Sequence, residues 1–336
     1  MPLETPFPES IPVSVRDFLE GGAEDETTLR ANRRAWRAIP IPGSLPEGPG
    51  RTPASFRILD APAPAPLLLA PCALARLAHP GGESAVARAA ASVGIPMVVS
   101  TTASETLEET AAAAPDLDRW FQLYAVPDRT IVADLISRAE RAGYRALVLT
   151  VDTPVLGRRE RDLRGGWALP HGIRLANLER YGAGLDGYAA QRKDPGLTWD
   201  IVHWIRAQTQ LPLALKGILA GGDAARAVEL GVEAVIVSNH GGRQLDGVPA
   251  TAEALPEIVD AVGGRAAVLV DGGIRSGLDV LRARLLGADA VLIGRPWLRA
   301  LAAGGETRLA AELQEWIAEI RLAEARFGAP CQPSPA

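Results

Sequence analysis

The 336-residue chain carries 35 lysines and arginines against 40 aspartates and glutamates, a net charge of −5. Its 47% hydrophobic and 22% charged residues are typical of a soluble globular protein and exclude a disordered or fibrous chain. The acidic balance argues against a nucleic-acid partner, because phosphate binding requires a concentrated basic surface. Two cysteines are too few for a disulfide framework, and no signal peptide or long apolar run is present. We therefore expect a cytoplasmic protein without a membrane partner.

The first 65 residues precede the first apolar run, and we expect them to form a lead-in and a plug for one end of the fold. Residues 14–34 predict a helical lead-in. From residue 66 onward an apolar run, a polar or glycine-rich break and a helical stretch recur. Apolar runs without alternation are typical of strands buried on both faces, as in parallel sheets. The eight predicted strands are residues 66–73, 96–101, 120–125, 146–152, 212–217, 234–239, 267–273 and 290–295.

Helix-like segments separate these runs, and several end at glycine, a common helix stop. The clearest are residues 128–143, 223–231 and 276–288. Eight strands alternating with helices predict a single α/β domain, a (β/α)8 TIM barrel, since doubly wound sheets usually have fewer strands. Its parts would be a barrel core at 66–300, C-terminal helices at 301–327 and a tail at 328–336. The long interruption at 157–199 follows strand four, where barrel enzymes place substrate-covering loops, and we expect it to be partly mobile.

Polar residues concentrate where the predicted strands end, and the carboxyl ends of the strands carry the active site in barrel enzymes. His240 and Arg243 follow strand six in a loop with two glycines. Histidine can act as a base near neutral pH, and the arginine fork suits a carboxylate. Asp152, after strand four, is the natural partner for an imidazolium. An isolated pair of this kind would instead suggest a capping histidine and a surface arginine, but the neighbouring strand ends favour a functional site.

Strands seven and eight end in DGGIR and IGRP, which predict a phosphate site. The backbone N–H groups of Gly272, Gly273 and Gly294 can approach a phosphate closely, and Arg275 and Arg295 can neutralise it. The alternative is a pair of tight β–α turns. Lys216 ends strand five, and a lysine there requires an anion or an electron-rich partner, since an isolated buried ammonium is costly. An internal ion pair is the alternative for both Lys216 and Asp152.

The segment SNHGGRQLDG (238–247) is the most specific motif of the chain. Other blocks follow the same order from about Val15 to about Arg321: GGAED (21–25), AHPGGE (78–83), FQLY (121–124), TVDTPVLGRRERD (150–162), LKGIL (215–219) and DGGIRSGLDVLRARLLGADAVLIGRP (271–296). Together these motifs resemble the FMN-dependent 2-hydroxy acid oxidases and dehydrogenases. The resemblance implies FMN as the cofactor, no metal, and oxidation of an (S)-2-hydroxy acid to a 2-keto acid. It also implies O2 or a soluble acceptor, and a homo-oligomer, commonly a tetramer.

The resemblance also implies residue roles. His240 would be the catalytic base with Asp152 as its partner. Arg243 and Arg159 would face the substrate carboxylate, with Tyr124 close to the reacting oxygen. Lys216 would lie by the N1–O2 edge of the flavin. The implied cofactor residues are Pro71, Cys72, Ala73, Ser100, Gln122, Thr150, Lys216, Ser238, Asp271, Gly273, Arg275, Gly294 and Arg295.

Two positions depart from the family pattern. Phe18 stands where members often have a carboxylate-binding tyrosine, and Thr102 stands where glycolate-oxidising members often have an aromatic side chain. Both changes favour a substrate bulkier than glycolate, either mandelate-like or a longer aliphatic acid. The segment 157–199 also lacks the hydrophobic insertion of membrane-bound mandelate dehydrogenases. Two alternatives remain open: an FMN-dependent barrel isomerase, and a barrel that binds flavin without hydroxy-acid turnover.

Overall fold

Two helices and a hairpin precede the barrel in the computed structural model, which describes residues 6–42, 56–182, 194 and 196–327. The elements are α1 (Val13–Glu20), α2 (Thr27–Ala38), β1 (Phe56–Ile58) and β2 (Ala61–Ala63). The helical lead-in predicted over 14–34 consists of two helices, because a turn separates α1 from α2. Glu24 and Glu26 have φ angles of 47° and 59° there, and such left-handed backbone cannot continue a helix.

Eight parallel strands close into the barrel, which confirms the predicted (β/α)8 fold and the position of every predicted strand. They are β3 (Leu67–Leu69), β4 (Met97–Ser100), β5 (Arg119–Tyr124), β6 (Ala146–Thr150), β7 (Leu213–Ile218), β8 (Ala234–Val237), β9 (Ala267–Val270) and β10 (Ala290–Ile293). Each strand pairs with the next along the chain, and β10 closes the barrel against β3, where Val291 lies opposite Leu67.

The strand residues are buried on both faces, as the unbroken apolar runs predict. Leu68, Trp120 and Ile236 point into the barrel and form one apolar cluster, and alternate residues pack beneath the surrounding helices. Ile58 and Ala63 of the β1–β2 hairpin join the inner cluster. The hairpin therefore plugs the end of the barrel opposite to the carboxyl ends of the strands.

The remaining helices cover the outside of the barrel. They are α3 (Gly82–Val93), α4 (Leu107–Ala113), α5 (Arg129–Arg141), α6 (Glu160–Arg164), α7 (Asp200–Arg206), α8 (Gly221–Glu229), α9 (Thr251–Val262), α10 (Gly277–Leu285) and α11 (Arg295–Phe327). Short 3-10 turns lie at Ala75–Leu77 and Glu179–Tyr181. No helix within the described ranges is long and apolar enough to cross a bilayer.

The C-terminal helices predicted at 301–327 begin earlier, at Arg295, directly after the last strand. Gly304 and Gly305 interrupt α11, and Gly305 has a φ of 61°. A Cβ at Gly305 would lie 2.8 Å from the ring of His79, so this close approach requires glycine. The predicted tail at 328–336 lies outside the described residues. So does part of the 157–199 segment, whose mobility stays a prediction.

Candidate active site

A cavity of about 470 Å³ opens at the carboxyl ends of the barrel strands. The residues that the sequence singled out come from α1 and from the ends of all eight barrel strands or the loops after them, and the fold brings them to this one place. All of them except Asp152 and Ser238 line the cavity wall: Phe18, Pro71, Cys72, Ala73, Ser100, Thr102, Gln122, Tyr124, Thr150, Arg159, Lys216, His240, Arg243, Asp271, Gly273, Arg275, Gly294 and Arg295.

His240 is held by a carboxylate behind it. Its Nδ1 lies 3.0 Å from Oδ1 of Asp152, and both side chains are largely buried. The backbone N–H of His240 donates to Oγ of Ser238, and the residue has a φ of 58°, a conformation that is costly for a non-glycine residue. Since Asp152 accepts the hydrogen on Nδ1, Nε2 is the ring nitrogen that can take a proton from a molecule in the cavity.

Gly217 makes room for Asp152. The pairing of β7 with β8 shifts register between Lys216 and Ile218, and Gly217 lies in this irregularity with a φ of 107°. A Cβ at Gly217 would lie 2.6 Å from Cβ and 2.8 Å from Cγ of Asp152. Any larger residue would therefore push the carboxylate from its place behind His240.

Arg243 and Arg159 bring two guanidinium groups to the same wall, and both lie over the ring of Phe18. Their central carbons are 5.5 and 5.9 Å from its centroid, within the range of a cation–π contact. Trp167 stacks on Phe18 with ring centroids 4.2 Å apart. Arg243 also donates to the carbonyl oxygen of Gly21 at 2.6 Å. Phe18 thus packs against both cations, although it lacks the hydroxyl of a tyrosine.

Lys216 is buried beside a carboxylate and a hydroxyl. Its Nζ lies 3.1 Å from Oδ2 of Asp271 and donates to Oγ of Ser238 at 2.8 Å. Burial alone would lower the pKa of Lys216, but the charges of Asp271 and Asp152 raise it above its usual value. The ammonium group therefore stays protonated at the bottom of the cavity, where Ser238 also links it to the backbone of His240.

Arg275 and Arg295 line another corner of the cavity, next to Gly294. Burial, followed by the charge of Arg275, lowers the pKa of Arg295 to about 9. Arg295 donates to the carbonyl oxygens of Gly241 and Gly21. Two neighbouring, partly buried cations repel each other, so this corner favours a bound anion such as a phosphate.

Several buried polar atoms on the wall fit a planar polar cofactor. Nε2 of Gln122, Oγ1 of Thr150 and Oδ1 of Asp271 have no hydrogen-bond partner among the described residues. Buried polar groups are nearly always paired, so these atoms require partners from a bound molecule. A flavin ring with a phosphate-bearing side chain supplies both the hydrogen-bonding edge and the anion, so the residues present fit FMN.

Cys72, a predicted cofactor residue, and Thr102, a predicted substrate residue, are small groups on the wall. Burial raises the pKa of Cys72 to about 12, so its thiol stays neutral. Oγ1 of Thr102 lies 2.9 Å from Oγ of Ser100, and both side chains are buried. The short side chain of Thr102 lines the cavity wall.

The sequence did not single out several residues that the fold adds to the wall: Leu156, Asp162, Trp167, Ala168 and Leu175. All belong to the 157–199 segment or its start. Burial raises the pKa of Asp162, although Arg159 and Arg243 act in the opposite direction. The only signal in the sequence was the presence of aromatic residues and leucines in the loop after strand four. That signal could not show which of these side chains point into the cavity.

The GGAED block acts by packing against the His240 loop. The N–H of Ala23 donates to the carbonyl oxygen of Gly242 at 2.8 Å, and a Cβ at Gly22 would lie 2.9 Å from that oxygen. A Cβ at Gly242, where φ is 75°, would lie 2.5 Å from the backbone nitrogen of Leu29. The two glycine-containing segments can approach this closely only without side chains.

Comparisons with known proteins agree with this site. L-lactate oxidase of Nostoc sp. is 47% identical to the chain, over 93% of the chain and 89% of the relative. Glycolate oxidase 3 of Arabidopsis thaliana is 43% identical, over 95% and 89%, and 2-hydroxyacid oxidase 1 of Homo sapiens is 41% identical, over 96% and 90%.

Solved structures give the same answer. A crystal structure described as mandelate oxidase superposes with a TM-score of 0.89 at 45% identity, over 95% of this chain and 91% of that one. A structure of mandelate oxidase with (S)-4-hydroxymandelic acid gives 0.89 at 44% identity, over 95% and 92%. The family model described as FMN-dependent dehydrogenase matches residues 8–331. The chain therefore belongs to the FMN-dependent dehydrogenase family, and it is an oxidoreductase whose cofactor is FMN.

Proposed function

We propose that this protein oxidises the CH–OH group of an (S)-2-hydroxy acid to a 2-keto acid and passes the electrons to O2, giving H2O2. The observation that carries the proposal is the pairing of His240 with Asp152 at 3.0 Å, in a cavity that Arg243 and Arg159 share. A base for a hydroxyl proton and cations for a carboxylate are the two groups that a 2-hydroxy acid requires. The relatives described as lactate, glycolate and mandelate oxidases support this assignment.

The residues of this chain divide the work. Arg243 and Arg159 bind the carboxylate and fix the orientation of Cα, and Tyr124 hydrogen-bonds to the reacting oxygen. His240 accepts the hydroxyl proton at Nε2, while Asp152 keeps the ring oriented and stabilises the imidazolium. FMN, when bound, supplies the acceptor for the two electrons that leave Cα. The same residues serve whether the Cα hydrogen leaves as a hydride or as a proton.

The cofactor contacts follow from the cavity wall. Gln122, Thr150 and Ser100 would hold the polar edge of the ring, with Pro71, Cys72 and Ala73 along its face. Lys216 would place its positive charge next to the pyrimidine side, where negative charge accumulates on reduction. Asp271 and Gly273 would hold the ribityl chain, and Arg275, Gly294 and Arg295 the phosphate. Ser238 does not line the cavity, and we assign it to holding Lys216 and the backbone of His240.

Anaerobic mixing of the purified holoenzyme with a 2-hydroxy acid tests the activity. We expect (S)-mandelate, (S)-lactate or glycolate to bleach the yellow flavin, and air to restore the colour with formation of H2O2. The matching 2-hydroxy amides, which lack the carboxylate charge, should bleach it far more slowly. A flavin that stays oxidised with all three acids would contradict the proposal. A bleached flavin that regains its colour only with a different acceptor would contradict O2 as the oxidant.

The pocket predicts a preference for large substrates. Phe18 and Thr102 leave room, and Trp167, Leu156 and Leu175 add apolar surface to the wall. Burying an aryl or branched alkyl group contributes roughly 1.5–3 kcal/mol. This exceeds a lost neutral hydrogen bond of about 1 kcal/mol. Mandelate-like or longer aliphatic acids should therefore exceed glycolate in kcat/KM by about tenfold or more.

A substrate panel measured on the wild type and on Phe18→Tyr checks this prediction. The added hydroxyl should improve the small acids most and narrow the difference between large and small substrates. Glycolate as the best substrate of the wild type would show that the size argument is wrong, whatever the variant does.

The carboxylate contact predicts the effect of Arg243→Lys. Lysine keeps the charge but loses the two-pronged fork, and charge-assisted hydrogen bonds contribute about 1.5–3 kcal/mol each. We expect kcat/KM for the hydroxy acid to fall by about 10- to 100-fold with normal FMN content. Arg158→Lys is the matched control, since Arg158 is exposed and pairs with Glu160 at the surface. Unchanged substrate kinetics in Arg243→Lys would show that the proposed pairing is absent.

We also propose a cytoplasmic homo-oligomer, commonly a tetramer in this family. Four large apolar side chains are more than half exposed: Val13, Val155, Leu163 and Leu245. Their burial against another copy of the chain would support this assembly. Light scattering on the purified protein checks the assembly. One relative from Arabidopsis thaliana is described as peroxisomal, so localisation needs its own measurement by cell fractionation.

A further inference from the structure

Two buried asparagines outside the described cavity form a reciprocal amide pair. Nδ2 of Asn32 on α2 donates to Oδ1 of Asn239 at 2.8 Å, and Nδ2 of Asn239 donates to Oδ1 of Asn32 at 2.8 Å. Both side chains are almost completely buried, at 1% and 4% exposure. A buried pair of side chains that each donate a hydrogen bond to the other fixes the relative position of the two backbone segments that carry them.

One side of the pair controls the loop after β8. Asn239 lies directly before His240, and its Oδ1 also accepts the N–H of Gly242 at 3.1 Å. Its Nδ2 donates to the carbonyl oxygen of Pro249 at 3.1 Å, at the far end of the same loop. The loop that carries His240 and Arg243 is therefore tied at both ends to one side chain. This explains how His240 can hold its positive φ, since such backbone persists only when its surroundings fix it.

The other side of the pair controls the loop after β9. Oδ1 of Asn32 accepts the N–H of Thr251, and Oγ1 of Thr251 donates to the carbonyl oxygen of Asp271 at 2.6 Å. Trp36, one turn after Asn32, donates its indole N–H to the carbonyl oxygen of Gly272 at 2.7 Å. A Cβ at Gly273 would lie 2.6 Å from the carbonyl oxygen of Asn32. Helix α2 thus contacts the DGGIR turn directly at Gly272 and Gly273, and Asn32 reaches Asp271 through Thr251.

We propose that the Asn32–Asn239 pair is a positioning element that fixes the loop of His240 and Arg243 relative to the DGGIR loop. The loop of His240 and Arg243 would then hold the substrate at a fixed position relative to the phosphate end of FMN, which the DGGIR loop would hold. This inference rests on the proposed function for the roles of His240 and Arg243. Asn32 and Asn239 touch neither substrate nor cofactor, and they act through the two loops.

Asn32→Asp tests the proposal with almost no change in size. It replaces the Nδ2 donor by an oxygen that faces Oδ1 of Asn239. The full-length chain is freed of flavin and titrated with FMN and with riboflavin, which lacks the phosphate. The dissociation constant for riboflavin divided by that for FMN measures how much the phosphate contributes to binding. This measurement requires no turnover. We expect this ratio to fall by about tenfold or more, and the KM of the FMN-saturated variant for the hydroxy acid to rise by a similar factor.

Thr28→Val is the matched control. Thr28 is buried on the same helix and accepts the N–H of Gly247 from the same loop, but it does not contact the DGGIR turn. Its melting temperature should fall as in Asn32→Asp, with the dissociation-constant ratio unchanged. The proposal would be overturned if the riboflavin-to-FMN ratio of Asn32→Asp equalled that of the wild type. It would also be overturned if this ratio changed without the KM for the hydroxy acid, or the KM without the ratio. If the wild type binds FMN but no hydroxy acid bleaches the flavin, the proposed function is wrong. The riboflavin-to-FMN ratio would still test whether the asparagine pair positions the DGGIR loop.

Trp36→Phe keeps the test decisive if Asn32→Asp does not fold. This variant keeps an aromatic ring but removes the indole N–H that bonds to Gly272, together with the volume of the five-membered ring. We expect the riboflavin-to-FMN ratio to fall by about threefold or more, the effect of one hydrogen bond. A ratio equal to that of the wild type would contradict the assigned control of the phosphate loop.

Discussion

Replacing His240 with alanine is expected to lower kcat by about two to four orders of magnitude while FMN stays bound. Removing a positioned base has this effect because the hydroxyl proton must then leave to water. Nδ1 of His240 lies 3.0 Å from Asp152, so the carboxylate holds this ring in place. The proposed flavin contacts lie mainly on other loops, which explains why binding should persist. Anaerobic stopped-flow measurement of flavin reduction separates this chemical step from reoxidation.

His203→Ala is the control for this experiment. His203 is exposed on α7, outside the cavity wall, and its loss should leave both flavin content and turnover unchanged. Near-normal flavin reduction in His240→Ala with full FMN content would remove His240 from the mechanism. A variant that loses FMN as well would show that the loop, and not the ring alone, depends on this side chain.

The barrel and most of the cavity wall could be predicted from the sequence because their signals are local. An apolar run such as residues 146–152 marks a strand by itself, and its polar end marks the cavity. Parallel strands all end at the same side, so Thr150, Lys216 and His240 had to meet. The resemblance to a known family then supplied the roles, which local patterns cannot give.

The residues that escaped prediction act through contacts distant in sequence. Asn32 hydrogen-bonds to Asn239, which lies 207 positions later in the chain. The sequence around residue 32 contains no pattern that predicts this partner. The predicted helical lead-in did not show the turn at 21–26, where Gly22 and Ala23 approach Gly242. Trp167 stacks on Phe18, and an aromatic side chain in a long loop gives no sign of its direction.

Gly217→Ala is expected to lower kcat by about 100-fold, although residue 217 touches neither substrate nor flavin. A misplacement of roughly 1 Å in a catalytic group can have this effect. The new Cβ would lie 2.6 Å from Cβ of Asp152, a distance that forces either the carboxylate or the strand to move. A φ of 107° is also unfavourable for alanine. Steady-state kinetics and the FMN dissociation constant are the measurements, and we expect the second to change little.

A double-mutant cycle with Asp152→Asn shows whether Gly217 acts through the carboxylate. If it does, Gly217→Ala should cost little further activity once Asp152 has lost its charge, because both changes remove the same support from His240. If the two substitutions lower kcat independently, so that their effects multiply, Gly217 acts on another group, such as the neighbouring Lys216.

Gly222→Ala is the matched control, since a Cβ there would meet no described atom within 4 Å. It should leave kcat, FMN affinity and the melting temperature close to those of the wild type. Full activity in Gly217→Ala would mean that Asp152 tolerates displacement, and that its contact with His240 does not limit the reaction.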